Sequence, residues 1–153
     1  MGPGMRATAL LLLLLAAPAA AQPVPALALS AEQLSVLPQR DATITFGNPP
    51  SPHRFQGPLL WDVLVSSGTI DPARHADAVR QWLQVRAADG YTTVVALGEV
   101  APDFAARPAI LAVRMDDAPL DRPRLVMPDE RRAGRSARDV VAVSVESLQD
   151  PRR

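Results

Sequence analysis

Cysteine and lysine are both missing from the 153-residue sequence, in which all 16 basic residues are arginine. Without cysteine there can be no disulfide, no thiolate metal site and no cysteine nucleophile. Without lysine there can be no Ser-x-x-Lys catalytic pair. The 16 acidic residues bring the formal net charge to zero. This balance argues against a nucleic-acid or membrane-surface role, because both need an excess of basic residues.

The first 21 residues have the pattern of a cleaved secretory signal. Arg6 precedes a short apolar stretch over 7–17, and small residues follow as far as Ala21. This order is typical of a segment that is removed on export, here before Gln22. We predict a signal peptide over 1–21 and a periplasmic or secreted mature chain with no membrane segment. An uncleaved anchor is the alternative, although the apolar stretch is too short to span a bilayer comfortably.

The remaining sequence predicts a single α+β domain over 41–149, preceded by a proline-rich lead-in over 22–40. Two early helices are expected. The first is "PLLWDVLVSSG", in which Pro58 suits the first helical position and Gly68 the end. The second would begin at Asp71, an N-cap ahead of proline.

Alternating and β-branched runs after the helices predict a mixed, mostly antiparallel sheet. Strands are expected at 41–46, 83–87, 91–97, 110–115, 124–127 and 140–148. The Asp89–Gly90 dipeptide predicts a hairpin turn, because glycine adopts a positive φ without strain. Three prolines and two glycines predict that 47–57 is a loop. Phe104 is expected to face inward from a helical turn.

Four segments occur in an informative order: "FQGPLLWDVLVSSG", "AADGYTTVVALGEV", "AILAVRMDDAPL" and "PRLVMP". Together they resemble the core of the sulfite-oxidase-type molybdopterin-binding domain over residues 45–147. The resemblance implies that fold, molybdopterin as the cofactor and oxidoreductase activity. It also predicts a short stand-alone version, because the large dimer domain of the family is missing.

The chain departs from that family at the metal ligand. The family holds its metal with a cysteine in the loop before the first helix, where this chain reads "TFGNPPSPHRF". Oxidised molybdenum needs a soft thiolate ligand from the protein. His53 is the only substitute in this segment, and a lone histidine without a partner at ligand spacing is more typical of a solvent-facing loop residue. We therefore expect no metal site and no bound cofactor, with molybdopterin as the alternative.

The resemblance implies that Arg124 and Arg138 bind an anion, because guanidinium groups bind phosphate with two parallel hydrogen bonds. We expect the two side chains to approach each other at one end of the sheet. They would face the 48–55 segment, with Trp61 nearby to stack on a flat ligand. The alternatives are that the arginines pair with neighbouring acidic residues and that Trp61 fills the core.

Three functions remain open at this point. The first is a non-catalytic exported module that binds an anionic small molecule or serves as an accessory domain. The second is a structural domain that binds a periplasmic protein partner through a sheet edge. The third is a molybdopterin-dependent oxidoreductase with atypical metal ligation. The missing cysteine favours the first. The signal peptide also favours the first function, because it has one arginine. Proteins exported with a bound cofactor usually carry an adjacent pair of arginines.

Overall fold

A computed structural model of the chain describes residues 26–148. The expected signal peptide, its cleavage site and the start of the lead-in lie outside the described residues. The described chain forms α-helices α1 to α3 and strands β1 to β8. In chain order these are β1 Leu27–Ala28, α1 Ala31–Ser35, β2 Gln39–Phe46, β3 Ser51–Pro58, α2 Leu60–Ser66, α3 His75–Ala78, β4 Gln81–Ala87, β5 Thr92–Ala96, β6 Ile110–Met115, β7 Ala118–Val126 and β8 Val140–Ser147.

The strands form two four-stranded sheets instead of the single sheet expected from the sequence. The first sheet has the order β1-β8-β4-β5 and the second the order β2-β3-β6-β7. Every pairing between the described strands is antiparallel. The architecture is α+β with antiparallel sheets, and β8 joins the first sheet between β1 and β4.

The second sheet carries buried apolar side chains on both faces. Leu111 and Leu125 belong to a large core shared with the first sheet and α2. Alternate side chains of a strand point to opposite sides of a sheet. The other face therefore carries a smaller apolar cluster, which we call the second face: Ala42, Ile44, Phe55, Ile110, Ala112 and Val126.

Residues 47–57 do not form the expected loop, because most of them belong to β3. Only 47–50 form a turn, and β3 pairs with β2 along its full length. Pro52 is tolerated because β3 pairs with β6 only at Phe55 and Gln56, which leaves its first half without a second neighbouring strand. At Gly57 an added Cβ would lie 2.0 Å from the Leu111 carbonyl oxygen, so close contact with β6 requires glycine there.

The helices also differ from the expected ones. Pro58 is the last residue of β3, and α2 begins two residues later, although Gly68 closes it as predicted with a φ of 71°. Asp71 caps a turn by accepting a hydrogen bond from the Ala73 amide at 2.9 Å, and α3 begins only at His75. Phe104 is 53% exposed, so its expected inward orientation is wrong.

Two hairpins follow local sequence signals closely. Gly90 has a φ of 89°, and the Tyr91 amide donates to the Asp89 carboxylate at 2.9 Å, which confirms the predicted turn between β4 and β5. Asp116 and Asp117 form the turn between β6 and β7 with φ values of 47° and 65°. Two successive positive φ angles match the right-handed twist of the adjoining strands.

Candidate functional site

Arg124 lies against two phenylalanine rings at the second face. Its guanidinium carbon is 4.8 Å from the centre of the Phe46 ring and 5.2 Å from the centre of the Phe55 ring. The rings come from β2 and β3, and Arg124 comes from β7 at the far edge of the same sheet. A cation over an aromatic face is attracted by the ring quadrupole, so the rings hold the guanidinium in place.

Arg124 forms no ion pair with a carboxylate among residues 26–148. Its Nε atom is buried and has no hydrogen-bond partner among the described residues. Burial lowers the pKa of Arg124, the positive charge of Arg138 lowers it further, and Asp139 acts in the opposite direction. A buried donor without an acceptor costs about 1–3 kcal/mol, which an incoming anion would offset.

The structure brings Arg138 into electrostatic range of Arg124. Arg138 is exposed and lies just before β8. The alternative expectation was that Arg124 pairs with Asp121 or Asp139. Neither forms an ion pair with Arg124 within the described part of the chain. Asp139 affects Arg124 only through its negative charge, which raises the pKa of Arg124.

Arg135 and Arg107 are paired with carboxylates, and for Arg135 this agrees with the alternative interpretation. Arg135 donates to the Glu99 carboxylate at 3.0 Å and also to Glu130. These contacts raise the pKa of Arg135 above its ordinary value, and the hydrogen bond from Arg135 lowers the pKa of Glu99. Arg107 pairs with Asp129 at 3.4 Å. Arg124 differs from these two residues in that its Nε is buried without a hydrogen-bond partner among residues 26–148.

His53 lies in β3 and not in a solvent-facing loop. Its ring stacks on Phe46 with centroids 4.2 Å apart. Nδ1 contacts an Asp116 carboxylate oxygen at 2.7 Å, and Nε2 contacts the Ser51 hydroxyl at 3.1 Å. Both ring nitrogens are therefore engaged. Within 26–148, no group of three or more His, Asp or Glu side chains is arranged to hold a metal ion. The residues present do not fit a molybdenum centre.

Sequence reasoning missed Ser51 and Asp116. Ser51 was placed in a loop, where the spacing of two to His53 carries no information. On a strand the same spacing puts both side chains on one side of the sheet. Asp116 is 63 residues from His53 along the chain, so no local sequence pattern links the two residues. A Ser-x-His pattern on an assigned strand was the available signal.

Trp61 lies away from this group. It is 8% exposed and belongs to the large core, whereas Arg124 packs against rings of the second face. The core-filling alternative describes its position, and Trp61 does not belong to the second face on which Arg124 packs. Three surface cavities of about 230, 420 and 430 Å³ are lined by residues other than Arg124 and Arg138.

No helix among residues 26–148 is long and apolar enough to cross a membrane. No protein-family model matches the chain, and no curated protein matches it significantly.

Proposed function

We propose that the protein is an exported module of the sulfite-oxidase-type molybdopterin-binding fold that binds an anionic small molecule through Arg124 and Arg138, without molybdenum chemistry. The buried, unpartnered Nε of Arg124 carries this proposal. The positive charge of Arg138 lowers the pKa of Arg124, and a shared anion would offset that repulsion. A phosphate monoester is the class of anion that the resemblance implies.

The position of Arg124 suits recognition of a two-oxygen anion. The guanidinium carbon lies 4.8 and 5.2 Å from the centres of two rings. A guanidinium presents its donors as a planar fork that matches an anion with two oxygen acceptors. Arg138, being exposed, would close on the ligand from solvent. Charge-assisted hydrogen bonds from a fixed guanidinium contribute about 1.5–3 kcal/mol each when water is excluded.

The order of structural elements supports the fold part of the proposal. The Asp89–Gly90 hairpin is followed by a 3-10 turn over Leu97–Glu99. The Asp116–Asp117 turn then leads into β7, which carries Arg124. These are the segments in which the sequence resembles the family. The metal part of the family chemistry is not proposed, because the chain has no thiolate and His53 has both nitrogens occupied.

Calorimetric titration of the purified exported chain with inorganic phosphate and phenyl phosphate tests the proposal. Arg124→Gln should weaken binding about tenfold to a hundredfold, the effect of losing one charge-assisted contact. Arg86→Gln is the matched control, because Arg86 is an exposed arginine on β4 of the other sheet. Absence of binding to the wild-type chain, or equal affinities of the two variants, would overturn the proposal.

Elemental analysis of protein purified from the native periplasm tests the alternative function, a molybdopterin-dependent oxidoreductase. We expect no molybdenum in that preparation. One molybdenum atom per chain would favour an oxidoreductase with atypical metal ligation and would contradict a module without metal chemistry.

A further inference from the structure

We infer that Ser51, His53 and Asp116 form a nucleophilic site that hydrolyses small activated carboxylic esters. The inference does not depend on anion binding at Arg124. It rests on two linked contacts, from the Ser51 hydroxyl to His53 Nε2 at 3.1 Å and from His53 Nδ1 to Asp116 at 2.7 Å. A hydroxyl, an imidazole and a carboxylate joined in this order are the functional groups of serine hydrolases, on whatever fold they occur.

The direction of the hydrogen bonds follows from the charge of Asp116. The hydrogen bond from His53 is the main factor that lowers the pKa of Asp116, so this carboxyl is ionised at neutral pH. An ionised carboxylate only accepts hydrogen bonds, and Nδ1 must therefore donate to it. In the neutral imidazole this leaves Nε2 as an acceptor for the Ser51 hydroxyl proton.

The three side chains are held by the surrounding sheet. Ser51 and His53 alternate along β3 and so face the same side. The second Asp116 oxygen accepts a hydrogen bond from the Arg54 amide at 2.9 Å, and the Asp116 amide donates to the Arg54 carbonyl at 2.8 Å. The Phe46 ring supports one face of the imidazole. Such support fixes the geometry before any ester binds.

Access to the site also fits a small substrate. Ser51 is exposed at the start of β3, and the Asp116 side chain is 48% exposed. An ester carbonyl can therefore approach the hydroxyl from solvent. An open site does not exclude water, which weakens electrostatic stabilisation of the transition state. The inferred substrates are consequently esters with good leaving groups, such as aryl esters.

The reaction proceeds in two balanced steps. In the first, the Ser51 oxygen forms a bond to the ester carbonyl carbon while its proton moves to His53 Nε2. The carbon–oxygen bond to the leaving group breaks, and that oxygen takes the proton from Nε2. In the second, water attacks the acyl-serine, gives a proton to Nε2, and Ser51 recovers a proton as the carboxylic acid leaves.

The test uses a fluorophosphonate probe on the purified exported chain, followed by peptide mapping. Attack by Ser51 forms an oxygen–phosphorus bond and releases fluoride, with the proton passing to His53. We expect labelling at Ser51 and at least about tenfold slower labelling at Ser35, because a positioned base raises the nucleophilicity of a serine. Ser35 is an exposed serine whose hydroxyl donates only to its own helix. Ser35→Ala should leave labelling and aryl-ester hydrolysis unchanged.

Two variants distinguish proton transfer from a merely structural contact. His53→Gln should slow Ser51 labelling about a hundredfold or more, the range of general-base contributions. In His53→Ala, Ser51 labelling should be slowed similarly and should be partly restored by added imidazole. A merely structural role of His53 does not predict such a rescue. Circular dichroism must show that each variant is folded. Labelling of Ser51 at the Ser35 rate, or labelling unaffected by His53→Gln in a folded variant, would overturn the inference.

Discussion

Arg124 and His53 contact the same aromatic ring, that of Phe46. The guanidinium carbon is 4.8 Å and the imidazole centre 4.2 Å from the centre of that ring. The anion site proposed for Arg124 and the nucleophilic site inferred around His53 are therefore neighbours on one sheet face. Phe46 supports both, although the two sites use different chemistry.

Replacing Phe46 with leucine should affect both sites and the stability of the fold. Leucine keeps an apolar group but removes the ring face that attracts Arg124 and stacks on His53. We expect a loss of about 1–2 kcal/mol in the free energy of unfolding, measured by urea denaturation. Phe104→Leu is the control, because Phe104 is 53% exposed. Equal effects of the two substitutions would contradict a structural role for the Phe46 contacts.

Gly57→Ala tests the close packing of β3 on β6. The new Cβ would lie 2.0 Å from the Leu111 carbonyl oxygen and would force the strands apart. We expect destabilisation of about 1–3 kcal/mol, the usual range for overpacking. Gly98→Ala is the matched control, since a Cβ there meets nothing within 4 Å. A Gly57→Ala protein as stable as Gly98→Ala would show that the sheet adapts without cost.

Gly90→Val tests the hairpin by backbone strain alone. An added Cβ at Gly90 meets nothing within 4 Å, but its φ of 89° is unfavourable for a β-branched residue. The expected loss of stability is about 1 kcal/mol or more. Thermal unfolding measures it against Gly98→Val, at a glycine without a positive φ. An unchanged melting temperature relative to that control would exclude strain at the turn.

The Glu99–Arg135 pair should add to stability in a pH-dependent way. The hydrogen bond from Arg135 lowers the pKa of Glu99 in the folded chain. The stabilisation is therefore complete above the unfolded glutamate pKa of about 4.3 and is lost as pH falls through the folded value. Urea denaturation from pH 6 to pH 3 should show a smaller acid-induced loss for Glu99→Gln than for the wild type.

A double-mutant cycle identifies the partner of Glu99. Arg135→Gln should remove the part of the pH dependence that comes from its hydrogen bonds to Glu99 and Glu130. Adding Glu99→Gln to it should then remove only the contribution of the Ala96 amide contact. Additive effects of the two substitutions would mean that another group lowers the pKa of Glu99.

Export with cleavage gives a separate prediction. Ala19 and Ala21 are the small residues that signal peptidase accepts, so the mature chain should begin at Gln22. Mass spectrometry of the N-terminus of the exported protein checks this. Detection of residues before Gln22 in that fraction would contradict it.

Local signals in the sequence predicted the hairpins well. Leu83, Val85 and Ala87 alternate along β4, and Asp89–Gly90 fixes the turn with two adjacent residues. The strand character of 51–58 was hidden, because its prolines suggest a loop when considered alone. They are accommodated by hairpin pairing with β2 and a missing neighbour on the other side. Residue composition alone does not reveal such pairing between strands.

The candidate site likewise combines residues that the sequence predicted with contacts that only the structure shows. Arg124 and Arg138 were named from the order of segments along the chain, and the structure brings them into electrostatic range. The Ser51–His53–Asp116 contacts depend on the assignment of β3 and on a turn 63 residues away. Non-local contacts of that kind require the sheet order, which was not accessible from a single sequence.

Asp116 acts in the sheet as well as beside His53. Asp116 has a positive φ, and its side-chain oxygen accepts a hydrogen bond from the Arg54 amide. The carboxylate thus extends the β3–β6 ladder by one residue while its other oxygen orients the imidazole. Fraying of this hairpin and loss of the His53 orientation should consequently be a single event, so that amide exchange at Arg54 would report how often the imidazole is misaligned.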